Sequence, residues 1–234
     1  MQKKGIMMGL TIKIDNLVKN FKNNEVIKGA SYEFVSGNVY GIVGGNGAGK
    51  SVLLKMILGM MKPDSGKVSF GGITENKAAA ENENIVENKA AANKVVSVKP
   101  DMACVIDGCD LIMNMSGLEN LIYLAGFRKL VDEKCIRECM KKVGLNPDNK
   151  DKIKNYSLGM RKRLLIVQAI MENPDVLILD EPTNSLDSSG VRMLHDIVHE
   201  NKEAGRIIII ASHYEQDIDG LCDIVLSLKD GVLC

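Results

Sequence analysis

The segment at residues 44–51 constrains this chain more than any other, because it reads GGNGAGKS. It matches the phosphate-binding pattern G-x-x-x-x-G-K-[ST], with Gly44, Gly49, Lys50 and Ser51 at the fixed positions. The glycines let successive backbone N–H groups point inward and form a concave anion-binding nest. Lys50 adds a positive charge toward the phosphates, and the Ser51 hydroxyl can hold Mg²⁺. The segment therefore predicts a nucleoside triphosphate site.

The flanking sequence agrees with this interpretation. VYGIV at 39–43 is a β-branched apolar run typical of a buried strand, and SVLLKMILGMM at 51–61 predicts an apolar helix closed by Pro63. A glycine-rich turn without a ligand is the alternative, and this strand–loop–helix context argues against it. Four residues between the fixed positions complete the predicted nest: Gly45, Asn46, Gly47 and Ala48.

Composition limits the class of protein. The chain has 234 residues, of which 45% are apolar, enough for one core with an attached lobe. Lys and Arg together number 30, as do Asp and Glu, so the chain lacks the basic excess usual in nucleic-acid binders. No apolar stretch approaches the length of about eighteen residues that indicates a membrane helix. The apolar run near the N-terminus is too short for a secretory signal. We therefore expect a soluble, cytoplasmic protein that does not bind nucleic acid.

The six cysteines are too few and too scattered to predict a disulfide framework. Cys135 and Cys139 are one helical turn apart, which leaves a metal site open as an alternative. No second ligand pair is nearby in the sequence, so we expect reduced thiols.

Strands and helices alternate along most of the chain. Residues 10–21 predict an edge strand or hairpin arm, with 26–34 returning beside it. The remaining predicted strands share β-branched apolar runs and span 67–73, 102–107, 175–180 and 206–212, with a closing hairpin at 223–233. The predicted helices share apolar periodicity and span 117–127, 132–145, 157–173 and 188–205, with a short one at 214–222. This alternation, with continuous apolar strands, favours an α/β fold with a parallel core sheet.

Residues 74–94 differ from the rest of the chain. ENKAAA occurs twice, at 75–80 and 87–92, and few residues between could pack. Such a segment buries too little surface to offset its ordering cost. We predict a mobile surface insertion, and a functional tether remains the alternative.

DVLILDEP at 175–182 is the second motif that carries chemistry. Asp180 lies at the carboxyl end of a buried strand. A carboxylate at this position can hold a Mg²⁺-bound water opposite a phosphate loop. Glu181 follows and can polarise the attacking water. The alternative is that Asp180 and Glu181 are ordinary solvated acids at a strand end. The presence of a phosphate loop in the same chain argues against it.

Together, GGNGAGKS, YSLGMRKR, LILDEPTNSLD and IIIASH resemble the nucleotide-binding subunit of an ATP-binding-cassette transporter. The resemblance extends from about residue 10 to the end, in the family's order and approximate spacing. It implies that Ser157 and Gly159 belong to the signature segment that contacts ATP across a dimer. Leu158 and Met160 depart from the family's glycine and glutamine, as in the branch that includes bacitracin- and lantibiotic-resistance exporters.

The resemblance implies further site residues. Asp187 is the acid of the loop that crosses the dimer interface, and His213 is the switch histidine that contacts the γ-phosphate. Phe21 takes the aromatic position that stacks on adenine, and Val26 is assigned to the same nucleotide site. Asp107 stands where the family usually has a glutamine that ligands Mg²⁺, and a carboxylate also suits that ion.

The pair His195 and His199 is a competing signal, because two histidines at i and i+4 with an acid between them resemble a zinc hydrolase site. A third ligand is not marked in the sequence. We expect this helix to have an ordinary solvated polar face.

The sequence thus predicts a single α/β ATPase domain at residues 10–234, a P-loop NTPase with an antiparallel β lobe and a helical subdomain at about 108–165. The resemblance implies ATP and Mg²⁺ as ligands, Lys50, Glu181 and His213 as catalytic residues, and a head-to-tail dimer of ATPase subunits. It also implies a separate membrane permease, which holds the ATPase at the inner face of the membrane. We expect the complete transporter to be an exporter. A non-transport cassette ATPase and a nucleotide-sensing regulator are the alternatives.

Overall fold

The structure is a computed structural model that describes residues 8–22, 24–73, 99–106 and 111–234. The predicted insertion at 74–94 and the candidate metal ligand Asp107 lie outside the described residues. Within them, none of the helices has both the length and the apolar character needed to cross a bilayer.

Two sheets organise the fold. The first is antiparallel and has the order β2-β1-β4, with β1 at Met8–Phe21, β2 at Asn24–Val35 and β4 at Ser65–Ile73. The prediction of a hairpin for the first two strands is confirmed, but β1 is the central strand and not an edge. The reason is that β4, distant in sequence, pairs along the other side of β1.

The second sheet has six strands in the order β5-β6-β7-β3-β8-β9. Its members are β3 Val39–Val43, β5 Met102–Val105, β6 Val176–Asp180, β7 Ile207–Ser212, β8 Ile224–Lys229 and β9 Val232–Leu233. All neighbours pair in parallel except β8 and β9, which form the C-terminal hairpin. This confirms the predicted parallel core.

The central parallel strands β3, β6 and β7 are buried on both faces, which explains their continuous apolar sequences. In β8, nearer the edge of the sheet, exposed residues alternate with less exposed ones. In β6, Leu177 and Leu179 pack into one cluster with residues of the later helices, whereas Val176 and Ile178 pack into the other. That second cluster also contains residues of the first helix and of the antiparallel sheet. The parallel sheet is therefore the middle layer of the molecule.

The α-helices in the part of the chain that the structure describes are α1 Lys50–Ile57, α2 Gly117–Arg128, α3 Glu133–Lys142, α4 Leu158–Ile170 and α5 Ser188–Glu203. Side-chain oxygens cap the last four at their N-termini, from Ser116, Asp132, Ser157 and Asp187. Residues Ser116 and Glu119 form a complete capping box at α2.

Two helix predictions need correction. Helix α1 ends at Ile57, not at residue 61, because Gly59 takes the left-handed conformation with φ 74. The predicted helix at 214–222 is only a 3-10 turn, Glu215–Asp217, and Gly220 with φ 71 prevents its continuation. The boundaries of the helical subdomain stay a prediction, although α2 and α3 do lie between β5 and β6 in the chain.

Candidate nucleotide site

The phosphate loop connects β3 to α1 at the carboxyl edge of the parallel sheet. Gly49 has φ 100, and a Cβ on it would lie 2.9 Å from Ile27 Cδ1. A Cβ on Gly44 would lie 2.4 Å from the Leu228 carbonyl oxygen, a backbone atom that cannot move away. Gly44 is therefore required by packing, and Gly49 by its left-handed backbone conformation as well as by close packing. The tip of the loop at 45–47 is exposed.

A cavity of about 270 Å³ lies over this loop. Its lining includes the loop residues from Asn46 onward, Val26 of β2, and the two acids Asp180 and Glu181. A neighbouring cavity of about 420 Å³ extends from the loop tip and Val26 to the C-terminal hairpin. The glycine-rich loop, a lysine and two carboxylates thus line one opening, which suits a phosphate chain with a cation.

The Lys50 ammonium group is 7% exposed and has oxygen partners on several sides. It donates to the carbonyl oxygens of Gly44 at 2.7 Å and Gly45 at 3.3 Å. Its Nζ also lies 3.6 Å from Glu181 Oε1. The ammonium group can exchange these oxygens for phosphate oxygens without leaving the cavity.

The Ser51 hydroxyl donates to Asp180 Oδ2 over 2.6 Å, joining the start of α1 to the end of β6. Asp180 is buried, so its carboxylate is fixed in place. A hydroxyl and a carboxylate oxygen beside a phosphate site are the hard ligands that Mg²⁺ prefers. These two residues therefore fit the predicted ion.

Glu181 and His213 meet although 32 positions separate them in the chain. They follow β6 and β7, which are neighbours in the sheet, and Glu181 donates its backbone N–H to Ala211 at 2.9 Å. Glu181 takes the left-handed conformation with φ 46, which is strained for a residue with a side chain. Its Oε2 lies 2.7 Å from His213 Nδ1, while Oε1 faces Lys50. The two carboxylate oxygens are thus held from two sides.

The residues predicted for the signature segment and for the interface loop do not line the phosphate-loop cavity. Ser157 caps α4 by accepting a hydrogen bond from Met160 N at 3.2 Å, and Leu158 beside it is 68% exposed. Asp187 caps α5 through Gly190 N at 2.8 Å. The hydrogen bonds to Asp187 from this amide, from the Ser189 hydroxyl and from a neighbouring arginine hold the pKa of its carboxyl below the usual value.

Phe21 and Val26 lie in different surroundings. Val26 lines both cavities, whereas Phe21 lines neither of the two and is 43% exposed. The ammonium group of Lys19 lies 5.6 Å from the centroid of the Phe21 ring, within cation–π range.

Three contacts near the site were not predicted from the sequence. Lys162 donates to the Asp180 carbonyl oxygen at 3.4 Å, and the Tyr214 ring lies 4.1 Å from that of His213. Arg163 binds Asp187 at 2.9 Å. Lys162 and Arg163 stand inside the motif YSLGMRKR, and Tyr214 directly follows IIIASH, but nothing in those patterns indicates their partners.

The competing histidine pair faces a separate cavity of about 360 Å³. Among the residues that the structure describes, no group of three or more His, Cys, Asp or Glu side chains could hold a metal ion. Cys135 and Cys139 are free thiols. Burial, with the adjacent Cys135, raises the pKa of Cys139 to about 11 and disfavours the thiolate that a metal needs.

Known proteins resemble this chain in sequence. A profile of the family described as ABC transporter matches residues 27–184. The Bacillus subtilis protein YybJ, described as an uncharacterized ABC transporter ATP-binding protein, is 36% identical over 95% of this chain and 94% of its own length. The bacitracin transport ATP-binding protein BcrA of Bacillus licheniformis is 31% identical over 97% of this chain and 69% of BcrA.

Solved structures agree at the level of the fold. One, described as the ATP binding subunit of an ABC transporter, superposes with a TM-score of 0.76 at 22% identity, covering 95% of this chain and 87% of that one. Another, the ADP conformation of an ATP-binding cassette of an ABC transporter, gives a TM-score of 0.70 at 22% identity, with 97% and 90% covered.

Proposed function

The chain belongs to the ABC transporter family as an ATP-binding protein, and from this premise we propose that it hydrolyses ATP to power a membrane transporter. The observation that carries the proposal is the position of the Glu181 carboxylate. It contacts Lys50 of the phosphate loop through one oxygen and His213 through the other. A site that only stored nucleotide would not require a base beside the terminal phosphate.

Each residue has a role that its position allows. Lys50 neutralises charge on the β- and γ-phosphates, and Glu181 orients the attacking water and accepts its proton. His213 holds the Glu181 carboxylate and contacts the γ-phosphate from the end of β7. Catalysis of this kind depends on positioning and on charge stabilisation more than on covalent chemistry.

Ser51 and Asp180 would hold Mg²⁺, and Asp107 stays a proposed third ligand. Bound there, the ion would neutralise negative charge on the β- and γ-phosphate oxygens. The 2.6 Å contact between Ser51 Oγ and Asp180 Oδ2 supports this assignment, because it brings two hard oxygens to the loop.

The active unit in this proposal is a head-to-tail pair of ATPase subunits. Ser157, Gly159 and Asp187 lie outside the phosphate-loop cavity of their own chain, and they would complete the cavity of a second subunit. Binding of ATP would close the pair and hydrolysis would reopen it. Phe21, which pairs with Asn24 in the lining of the 420 Å³ cavity, would stack on the adenine base.

A separate permease would carry the transported substrate and hold the ATPase at the inner face of the membrane. An exposed aromatic pair on α2 supports a docking surface there, since Tyr123 and Phe127 are 50% and 72% exposed with rings 5.3 Å apart. The relatives named for bacitracin transport and for linearmycin resistance favour export as the direction.

The experiment uses the chain purified together with its permease in lipid vesicles. We expect hydrolysis of Mg-ATP that depends on Glu181, so that Glu181→Gln binds ATP and releases phosphate at least about a hundredfold more slowly. The control is Glu172→Gln, which removes a carboxylate paired with Arg128. Equal phosphate release by wild type and Glu181→Gln would exclude the proposed role of this carboxylate.

Permease docking needs its own measurement. Replacing Phe127 by Ser should weaken co-purification of the permease without changing ATP binding, because the ring lies outside both nucleotide cavities. Unchanged co-purification would move the docking surface elsewhere.

A further inference from the structure

Arg163 lies where three parts of the protein meet. It is in the second turn of α4, and its side chain is only 16% exposed. One guanidinium nitrogen, Nη1, donates to the carbonyl oxygen of Val143 at 2.7 Å, at the C-terminal end of α3. The other, Nη2, donates to Asp187 Oδ1 and to Ser189 Oγ, both at 2.9 Å. One side chain thus joins α3, α4 and the start of α5.

A second contact joins the same face of α4 to the loop before α5. Gly159 precedes Arg163 by four residues, which places both on one side of the helix. A Cβ on Gly159 would lie 2.9 Å from the Ser185 carbonyl oxygen. The loop at 181–187 therefore touches α4 at two successive turns, once by close backbone approach and once through Arg163.

Asp187 is held in one orientation by these contacts. Its Oδ1 accepts from Gly190 N, from Arg163 and from the Ser189 hydroxyl. The carboxylate nevertheless remains 68% exposed on its outer side. A carboxylate that is fixed from behind and open in front is oriented for a partner outside its own chain.

The chemistry of arginine suits this position. Its planar guanidinium presents several N–H donors in fixed directions, so it can bind a backbone carbonyl and a carboxylate at once. A lysine has a single ammonium group on a flexible stem and could satisfy only one of these partners well.

We propose that Arg163 is a positioning residue that couples α3 and α4 to the loop at 181–187. A displacement of α3 would be transmitted through the guanidinium to Asp187, so that the loop and the N-terminus of α4 move together. This inference rests on the proposed function, in which that loop faces the phosphate site of a second subunit. Arg163 itself touches neither nucleotide cavity.

The kinetic test compares Arg163→Met and Arg163→Lys with wild type. Arg163→Met should bind ATP with a Kd within about twofold of wild type but hydrolyse it about tenfold to a hundredfold more slowly, the cost of misplacing a group remote from the chemistry. Arg163→Lys should recover part of the lost turnover. The matched control is Arg137→Met, whose guanidinium pairs with Glu133 and Asp148 on α3 and in the following loop, and it should behave as wild type.

Amide hydrogen exchange tests the same inference without activity. Leu186 N donates to Thr183 O at 3.1 Å, and Gly190 N donates to Asp187. In Arg163→Met, exchange at these two amides should be about tenfold faster or more, the effect of losing a charge-assisted hydrogen bond. Normal turnover together with unchanged exchange would overturn the proposal.

Two further outcomes are informative. If wild type with its permease does not hydrolyse ATP, the proposed function fails, while hydrogen exchange still decides whether Arg163 holds the loop. If Arg163→Met does not fold, Asp187→Asn replaces it, because asparagine keeps the helix cap but loses the charge. The double variant Asp187→Asn with Arg163→Lys should then lose turnover by a factor that differs from the product of the two single-variant losses. A loss equal to that product would refute the coupling.

Discussion

Replacing Glu181 by Gln should increase the affinity for ATP at the same time as it slows turnover at least about a hundredfold. In the structure, Glu181 Oε1 lies 3.6 Å from Lys50 Nζ, and the two side chains are 23% and 7% exposed. In the proposed function Lys50 binds the phosphates, so the Glu181 carboxylate would compete with them for this lysine. Glutamine keeps the shape and the contact with His213 but removes the charge.

The size of the effect follows from that distance. At 3.6 Å the Coulomb energy of a unit pair is about 1 kcal/mol with the dielectric constant of water and about 5 kcal/mol at an effective constant of 20. Desolvation of the two groups cancels most of the larger figure. A net competition of about 1 to 1.4 kcal/mol remains, which corresponds to ATP binding about five- to tenfold tighter.

Calorimetric titration with a non-hydrolysable ATP analogue measures this directly. Glu172→Gln is the matched control, because it removes a carboxylate from an ion pair with Arg128 remote from the cavity, and its Kd should equal that of wild type. An unchanged or weaker affinity in Glu181→Gln would show that the Lys50–Glu181 contact does not oppose ATP binding.

Two other predictions concern stability. Gly44→Ala should lower the free energy of unfolding by about 1–3 kcal/mol in a denaturant titration, because its Cβ would lie 2.4 Å from the Leu228 carbonyl oxygen. Gly45→Ala is the control, because a Cβ there meets open space and should change the free energy of unfolding little. Equal effects of the two substitutions would refute the packing argument. Burial would raise the pKa of the Asp223 carboxyl, but its hydrogen bonds, notably from Lys202, outweigh this and leave the pKa lowered. Its stabilisation is therefore present above the ordinary aspartate pKa of about 3.9 and is lost as the pH falls through the lowered folded-state pKa. Asp223→Asn should cost about 0.5–1 kcal/mol at pH 7 and nothing at strongly acidic pH, and a pH-independent cost would contradict this assignment.

Most of the secondary structure was predictable because its signals are local. The phosphate loop, the apolar strands at its side and the N-cap at Ser157 each depend on residues within a few positions of one another. The same holds for the placement of Asp180 and Glu181 at the end of a strand. The errors fall where a single left-handed glycine overrides helical periodicity, at Gly59 and Gly220.

The central position of β1 was not predictable for a different reason. Its alternating pattern describes two faces but says nothing of what lies at its edges. Pairing with β4 joins residues that are 54 to 60 positions apart in the chain, from Ile14 with Val68 to Thr11 with Gly71. Only the tertiary structure specifies such a contact, because hydrogen bonding between strands leaves no mark in either strand's own sequence.

The sequence by itself determined that this chain carries a phosphate loop, an acidic strand end and the motifs of an ABC ATPase. The tertiary structure decided which of these residues meet. Lys50, Glu181 and His213 converge because β3, β7 and β6 are adjacent, so that their carboxyl ends share one edge of the sheet. The contacts of Arg163 with Val143 and Asp187 could not be predicted from the sequence either, because the motif that contains an arginine does not indicate which residues it contacts. The motifs can be recognised from residues that are close in the sequence, whereas the order of the strands in the sheet determines which of these residues meet in the site.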